Sequence, residues 1–260
     1  MRYSITLSYD GSAFKGWQVQ PDAASVQATL ESALSTLLGA TVAVTGAGRT
    51  DTGVNAIGYV ACFDAQEGLD TPQLRYKLNA ILPSSMAVLE VHAERDDFHA
   101  RFDARRRDYT YFIHRDKDPF ASAFSYYCGY PVLDFDAMNR AAALLVGTHD
   151  FASFQKTGAD NKTSVCTVFE AGWHSYVPSH VQLMGPVAPP ADAQGNYWYF
   201  RIASDRFLRG MVRAVVGTLL EVGRGKRSPE SIADLLESRD RCAAGESVPG
   251  NALFLSKMEY

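Results

Sequence analysis

Alternation of apolar and polar residues marks the first element of the chain. From Tyr3 to Tyr9 every second residue is apolar, and the residues between them are polar. A period of two is typical of a β-strand that buries one face. The turn residues Asp10-Gly11-Ser12 follow directly, so the pattern predicts a strand that ends at about residue 9.

A helical spacing replaces the alternation after residue 25. Apolar residues recur three or four positions apart between Val26 and Leu38, which is the spacing of an amphipathic helix. Ser25 is a residue type that caps helix N-termini, and Gly39 stands where a glycine commonly ends a helix. These signals predict a helix over residues 26–38.

The remaining pattern predicts a mixture of strands and helices. Strands are predicted at residues 42–45, 57–64, 86–95, 107–114, 165–176, 197–204 and 253–258. Helices are predicted at 73–80, 135–146 and 207–220, and a last helix is predicted to begin at Ser228-Pro229-Glu230. This order favours an α+β protein whose helices pack on a largely antiparallel sheet.

Two further features concern the organisation of the chain. A seam between two halves is predicted near residues 100 to 110, and we divide the chain there into residues 1–105 and 106–260. No convincing sequence repeat relates the two halves. The segment 178–196 is rich in proline, glycine and alanine, which predicts a mobile surface loop.

Composition is that of a globular protein. The chain has 260 residues, of which 47% are hydrophobic, and this is enough to bury one large core or two smaller ones. The N-terminus lacks a signal-peptide core, and no run of about 18 apolar residues occurs, which predicts a cytoplasmic protein. The four cysteines form no C-x-x-C pair, so reduced buried thiols are favoured over a zinc site or a redox dithiol.

Charge is distributed unevenly along the chain. The net charge of −4 argues mildly against binding to nucleic acid. However, residues 98–117 carry six Lys or Arg against three Asp, and residues 201–227 carry seven Lys or Arg against two acids. Such segments can present a basic surface to phosphates, or they can be two ordinary solvated faces.

A glycine-rich loop is the first candidate for chemistry. Residues 46–53 contain three glycines and the triplet Arg49-Thr50-Asp51. The loop lacks the Gly-Lys-Ser/Thr ending of a phosphate-binding P-loop, and a strand rather than a helix follows it, which excludes a dinucleotide fingerprint. A guanidinium two residues away favours an ionised Asp51, which can then act as a nucleophile. Alternatively, Asp51 caps a turn and pairs with Arg49 for stability.

A basic and aromatic segment is the second candidate. Residues 97–102 read Asp-Phe-His-Ala-Arg-Phe, and Arg105, Arg106, Arg107 and Tyr109 follow. Cations can contact phosphates and rings can stack on bases, which suits nucleic acid. The alternative is a strand with buried rings and a solvated arginine edge. His99 can act as a general base, but contact with RNA is favoured because a lone histidine is more often structural.

A third cluster of cations lies on the predicted helix 207–220. Arg206, Arg209 and Arg213 have the i, i+3, i+7 spacing of one helical stripe. Arg213 lies in an otherwise apolar stretch, so an acidic partner is predicted for it. Histidine and acid spacing offers no metal site, because neither H-x-x-x-H nor H-E-x-x-H occurs.

Taken together, these segments resemble the TruA family of tRNA pseudouridine synthases over essentially the whole chain. The matching segments, in chain order, are Tyr9-Asp10-Gly11, Gly16-Trp17-Gln18, Gly48-Arg49-Thr50-Asp51 with Gly53-Val54, Asp97-Phe98-His99-Ala100-Arg101-Phe102, Arg107-Asp108-Tyr109-Thr110-Tyr111, Gly147-Thr148-His149-Asp150-Phe151 with Ser153-Phe154, Phe207-Leu208 with Met211-Val212-Arg213, and Leu253-Phe254-Leu255. Each segment alone is weak evidence for the resemblance, but the occurrence of all of them in this order is highly specific for the family.

The resemblance implies a role for particular residues. Asp51 matches the catalytic aspartate, Tyr109 matches the tyrosine that stacks on the target uracil, and Arg213 matches the basic residue that pairs with the aspartate. Arg49 and Arg101 match positions that contact tRNA and help to extrude the target base. The rest of the second segment, Phe98, His99, Ala100 and Phe102, is assigned with them to tRNA binding and base flipping.

The resemblance also implies the fold and the reaction. The implied fold has two α/β halves with a largely antiparallel sheet, flanking helices and a central active-site cleft. The implied substrate is uridine at positions 38 to 40 of the tRNA anticodon stem-loop, which would be isomerised to pseudouridine. Family members are homodimers that need no cofactor or metal. The alternatives are a non-catalytic tRNA-binding module and an aspartate-dependent phosphate-ester hydrolase, which would need magnesium ligands near Asp51.

The chain departs from the family pattern at two places. The family loop usually continues Asp-Ala-Gly-Val-His, whereas Asn55 occupies the histidine position here. Asparagine can form a hydrogen bond but cannot carry a proton, so an acid role at that position is not expected. The segment 178–196 also looks longer than is usual in the family.

Overall fold

The computed structural model describes residues 1–158, 163–184 and 195–260. The described residues form two compact units, and the chain passes between them twice. Unit 1 comprises Met1–Arg107 and Phe254–Tyr260, and unit 2 comprises Asp108–Leu253. Residues 254–260 therefore belong with the N-terminal part of the chain.

Ten strands and six α-helices occur in the described ranges. The strands are β1 (Arg2–Tyr9), β2 (Val44–Gly46), β3 (Asn55–Asp64), β4 (Met86–Glu94), β5 (Arg106–His114), β6 (Tyr126–Tyr127), β7 (Gly147–Asp150), β8 (Val165–Ser175), β9 (Tyr197–Ser204) and β10 (Leu253–Glu259). The helices are α1 (Val26–Leu38), α2 (Thr71–Ile81), α3 (Phe135–Ala143), α4 (Ser179–Met184), α5 (Met211–Gly223) and α6 (Ser231–Ser238).

The sheet of unit 1 is built around β1 and β3. β1 lies between β4 and β3 and is antiparallel to both. The other edge of β3 pairs with β2 in an antiparallel manner and with β10 in a parallel manner. The pair Phe254↔Asn55 places β10 at the start of β3, which is where the glycine-rich loop ends.

The core of unit 1 follows from the two periodicities of the sequence. The alternate residues Tyr3, Ile5 and Leu7 are at most 2% exposed, and Leu30 and Leu34 of α1 are buried by the helical spacing. Ser25 caps α1 by accepting a hydrogen bond from the Ala28 N–H at 3.2 Å. The predicted strand and helix at the start of the chain are both confirmed.

In unit 2 the strand order is β5-β9-β8-β7, and β6 pairs with β5. β8 is antiparallel to both β7 and β9. α3 packs on β8, and α5 packs on α3. Gly223 of α5 lies so close to Met138 of α3 that a Cβ at this position would overlap its sulfur. The predicted α+β class with a largely antiparallel sheet is thus confirmed.

The predicted helix 207–220 is partly wrong. α5 begins at Met211, and Gly210 before it has φ +72°, a left-handed conformation that interrupts a right-handed helix. Arg206 and Arg209 therefore precede the helix, and the predicted stripe of three arginines on one helix face does not form. The last helix likewise begins at Ser231, three residues after the predicted start.

The segment 178–196 contains a feature that its composition did not predict. Residues 179–184 form the short helix α4. The predicted mobile loop also covers residues 185–194, which lie outside the described residues. No helix in the described ranges is both long and apolar enough to cross a lipid bilayer. Of the four cysteines, Cys62, Cys128 and Cys166 are buried free thiols, and Cys242 is exposed.

Candidate active site

The Asp51 loop, residues 47–54, connects β2 to β3. A turn closes directly after the aspartate, because the Val54 N–H donates to the Asp51 carbonyl at 3.1 Å. Gly53 has φ +78° in this turn, a conformation that glycine adopts without steric cost. Asp51 itself is half-buried.

Arg49 does not pair with Asp51. Its side chain is exposed and forms no hydrogen bond or ion pair within the described part of the chain. The proposed stabilising pair between these two residues is therefore absent, although they are only two positions apart. An exposed guanidinium that has no partner among the described residues is available for an anionic ligand such as a phosphate.

Asn55 joins the end of the Asp51 loop to the turn after β1. Its side-chain oxygen accepts a hydrogen bond from the Gly11 N–H at 2.8 Å, and the residue is 1% exposed. Next to this contact, the Trp17 N–H donates to the Thr50 carbonyl at 3.2 Å. The segment from Gly11 to Trp17 thus supports the loop from one side, and Asn55 serves as a buried acceptor, a role that needs no proton.

The second candidate segment folds into the His99 turn, residues 98–103. His99 Nδ1 accepts from the Arg101 N–H at 3.1 Å, and Asp103 accepts from the His99 N–H at 3.0 Å. That backbone bond and the Arg95 guanidinium lower the pKa of the Asp103 carboxyl below its usual range. The turn is therefore held by local hydrogen bonds.

Residues of the His99 turn divide into a buried and an exposed set. Phe98 and Ala100 are buried, with Phe98 packed on Tyr260 at a ring distance of 5.3 Å. Phe102 is 72% exposed, and Arg101 lies 5.6 Å from the centre of its ring. The buried residues Phe98 and Ala100 anchor the turn in unit 1, and the turn then presents the Arg101 guanidinium and the Phe102 ring at the surface.

Arg107 links the His99 turn to the Asp51 loop. Its guanidinium donates to the Arg101 carbonyl at 2.7 Å, to the Ala104 carbonyl at 3.1 Å and to the Ala47 carbonyl at 3.4 Å. The structure therefore brings the first two candidate segments together within unit 1. Sequence reasoning treated Arg107 only as one cation of a basic run, because nothing in the run identified its partners.

Tyr109 is the first aromatic residue of unit 2. It is half-buried, and its ring meets Phe207 edge to face with centroids 5.0 Å apart. The residue before it, Asp108, is 1% exposed and accepts a hydrogen bond from the Arg201 guanidinium at 2.6 Å. An ion pair between this buried carboxylate and the half-buried Arg201 thus joins β5 to the next strand of the sheet beside Tyr109. Phe207 was not predicted as a site residue, because its apolar spacing placed it within a helix.

Arg213 lies on α5 and is half-buried. Its Nε donates to the Val248 carbonyl at 2.7 Å, and the Val248 N–H donates to the Arg213 carbonyl at 3.2 Å. Burial raises the pKa of the neighbouring Tyr111 phenol, and the positive charge of Arg213 acts in the opposite direction. The bond from Nε to Val248 fixes the position of the Arg213 side chain on α5, and the backbone bond joins the helix to the segment that contains Val248.

Within the described ranges, no group of three or more His, Cys, Asp or Glu side chains has an arrangement suited to a metal ion. The chemistry available to this site comes from a half-buried carboxylate, guanidinium groups and aromatic rings. That combination suits RNA: cations meet its phosphates, rings stack on its bases, and a carboxylate can act on an electrophilic carbon.

Comparisons with known proteins agree with this chemistry. A sequence model of the family described as tRNA pseudouridine synthase matches residues 5–103 and 141–260. A tRNA pseudouridine synthase A of Bacteroides thetaiotaomicron is 46% identical over 100% of this chain and 90% of its own length. The proteins of the same name from Parabacteroides distasonis and Bacillus subtilis are 44% and 38% identical, and the alignments cover all of this chain and 96% and 99% of theirs.

These matches define the class of the protein as an RNA-modifying isomerase. The chain belongs to the tRNA pseudouridine synthase family. The family resemblance found in the sequence motifs is thereby confirmed.

Proposed function

We propose that this chain isomerises uridine to pseudouridine at positions 38 to 40 of the tRNA anticodon stem-loop, with Asp51 as the nucleophile. The observation that carries the proposal is the half-buried Asp51 in a glycine turn, which is held against a turn that exposes Arg101 and Phe102. Family membership supplies the reaction class, and the motif match supplies the position in tRNA.

The reaction breaks the N1–C1′ bond of uridine, turns the uracil, and joins C5 to C1′. The proton on C5 is lost to solvent and N1 gains one, so no oxidant, reductant or cofactor is consumed. Asp51 can begin this sequence by attack at C1′, by removal of a sugar proton, or by addition to C6 of the base. All three routes need the same ionised carboxylate beside one extruded pyrimidine.

Exposed residues of unit 1 are assigned to tRNA binding and base extrusion. Taking a base out of its helix costs roughly a few kcal/mol. Stacking on an aromatic ring contributes about 1–3 kcal/mol per base, and cations add phosphate contacts. Arg49, Arg101 and Phe102 have the exposure for such contacts, with His99 half-buried beside them. In this proposal the buried Phe98 and Ala100 contribute indirectly, because they anchor the turn that carries the exposed residues.

Residues of unit 2 are assigned to the target uridine. Tyr109 is proposed to stack on the uracil, and Arg213 is proposed as the basic residue that binds the substrate and orients the catalytic carboxylate. Both assignments rest on the motif match, and the fixed positions of both side chains support them. The Tyr109 ring packs against Phe207, and the ion pair of the adjacent Asp108 holds the backbone beside it. The Arg213 side chain is held by its hydrogen bond to the Val248 carbonyl.

Tritium release tests the proposed reaction. Unmodified tRNA transcribed with 5-tritiated uridine should lose tritium to water when it is incubated with the protein, and EDTA should not slow the release. A protein that binds this tRNA in a salt-dependent manner but releases no tritium would be a non-catalytic binding module. Phosphate-ester hydrolysis that EDTA abolishes would indicate the magnesium-dependent hydrolase instead.

We also propose that the protein is a cytoplasmic homodimer and that unit 2 supplies the contact surface. Four rings lie on one face of its sheet: Phe112, His174, Tyr176 and Tyr199. Phe112 is 5.4 Å from Tyr176 and 6.1 Å from Tyr199, and His174 stacks on Tyr199 at 5.1 Å. Phe112, Tyr176 and Tyr199 are half-buried, and His174 is exposed. An aromatic surface of this kind is typical of protein interfaces.

Sedimentation tests the dimer. The chain has a mass of 28.5 kDa, so a dimer should sediment at twice that mass, about 57 kDa. Replacing Tyr199 with Glu should shift the equilibrium towards monomer, since it would place two like charges in a two-fold contact. A wild-type protein that sediments at 28.5 kDa at micromolar concentration would contradict the proposal.

A further inference from the structure

Two tyrosine hydroxyls hold the Asp51 loop on either side of Arg49, one through the backbone of Gly48 and the other through the side chain of Thr50. The Tyr59 hydroxyl donates to the Gly48 carbonyl at 2.5 Å and accepts from the Gly48 N–H at 3.3 Å. The Tyr9 hydroxyl lies 3.0 Å from the Thr50 hydroxyl, in a buried contact. Residues 48 and 50 are thus both tied to side chains of the sheet, directly before the proposed nucleophile.

The rings that carry these hydroxyls are themselves fixed. Tyr59 lies on β3 and stacks on Trp17 with centroids 4.2 Å apart, and Tyr9 on β1 lies 5.8 Å from Tyr59. All three rings are at most 4% exposed. Gly46 is needed for this packing, because a Cβ there would overlap both the Tyr59 hydroxyl and the Trp17 ring. Side chains on buried strands define positions more accurately than loop residues do.

We infer that Tyr59, assisted by Tyr9, is a positioning residue for the isomerisation. It acts through the backbone of the Asp51 loop and not by contact with RNA, since its ring and hydroxyl are buried. This inference rests on the proposed role of Asp51. Displacing a reacting group by about 1 Å can cost a factor of roughly 100 in rate, so loss of the hydroxyl should appear mainly in kcat.

Tyr3 offers a matched control within the same unit. Its hydroxyl donates to the Gln66 carbonyl at 3.0 Å and accepts from the Leu69 N–H at 3.3 Å, the same pattern that Tyr59 makes with Gly48. Its ring is also buried and stacks on Phe63 at 5.6 Å. Tyr3 therefore holds a loop in the same way, but this loop is not the one that carries Asp51.

The test compares Tyr59→Phe with Tyr3→Phe. Both variants keep the ring and lose two backbone hydrogen bonds, so their melting temperatures should fall by similar amounts. Only Tyr59→Phe should lower kcat for tritium release, by about tenfold or more, with KM for tRNA within about twofold of wild type. Equal kcat values for Tyr59→Phe, Tyr3→Phe and wild type would reduce Tyr59 to a structural residue and overturn the inference.

Hydrogen exchange separates failure of this inference from failure of the proposed function. The Gly48 amide should exchange faster in Tyr59→Phe than in Tyr3→Phe, whatever reaction the protein catalyses. Wild-type protein that released no tritium would refute the proposed function, while faster exchange would still support control of the loop by Tyr59. Unchanged exchange at Gly48 would overturn the inference by itself.

Discussion

Replacing Asp51 with Asn should abolish tritium release from 5-tritiated uridine in tRNA while tRNA affinity stays within several-fold of wild type. The amide has nearly the same size as the carboxylate but is neither anionic nor nucleophilic. Removal of a catalytic nucleophile lowers turnover by at least about 10⁴-fold, whereas a half-buried side chain contributes little to binding of a whole tRNA. Single-turnover tritium release and a tRNA binding titration measure the two quantities separately. Asp51→Ala should show the same loss of tritium release and the same retention of tRNA affinity as Asp51→Asn.

Asp70→Asn provides the control for this comparison. Asp70 caps α2 by accepting from the Gln73 N–H at 2.9 Å, and asparagine caps helices nearly as well, so activity and stability should both be retained. Near-normal turnover by Asp51→Ala would show that the assignment of the nucleophile is wrong. Loss of tRNA affinity in step with activity would instead indicate that Asp51 is needed for the fold of the loop.

Tyr109→Ala should lower kcat/KM for tRNA by roughly 5- to 150-fold, and Tyr109→Phe should stay within several-fold of wild type. Stacking of one base on an aromatic ring is worth about 1–3 kcal/mol, which corresponds to that range. Phenylalanine keeps the ring and its edge-to-face contact with Phe207, whereas alanine removes both. Steady-state tritium release over a range of tRNA concentrations gives the ratio.

Tyr130→Ala is the matched control in unit 2. Tyr130 is also a half-buried tyrosine, and it packs beneath the Arg224 guanidinium at 3.7 Å. Its loss should affect stability more than catalysis, because no proposed site residue depends on it. If Tyr109→Ala and Tyr109→Phe had equal activity, stacking on the uracil would have to be assigned to another ring.

Much of the fold could be predicted from the sequence, because the capping and turn residues mark the same element bounds as the periodicity of the buried apolar residues. β1 shows a clean period of two, and α1 carries both a serine cap and a terminal glycine, so both elements were predicted within a residue of their observed bounds. The start of α5 was not predicted. Phe207 and Leu208 continue the helical spacing of the apolar residues, but Gly210 takes a left-handed conformation that the spacing does not reveal.

The candidate site could be recognised from sequence only in part. The Arg49-Thr50-Asp51 triplet and the aromatic and basic run were visible as local composition. The contacts that fix them, such as Arg107 with Ala47 and Tyr59 with Gly48, join residues that belong to different elements. Tyrosines at alternate positions of a strand are indistinguishable from ordinary core residues until the loop that their hydroxyls hold is placed beside them.

The return of residues 254–260 to unit 1 has a consequence for biosynthesis. Unit 2 is continuous in the chain, whereas unit 1 lacks β10 until residues 254–260 have been translated. Since domains generally fold as units while the chain leaves the ribosome, unit 2 can complete its folding before unit 1 does, although most of unit 1 precedes it in the chain. The loop bearing Asp51 would then acquire its neighbouring strand at Asn55 among the last events of folding, so a nascent chain stalled before residue 254 carries an incomplete unit 1.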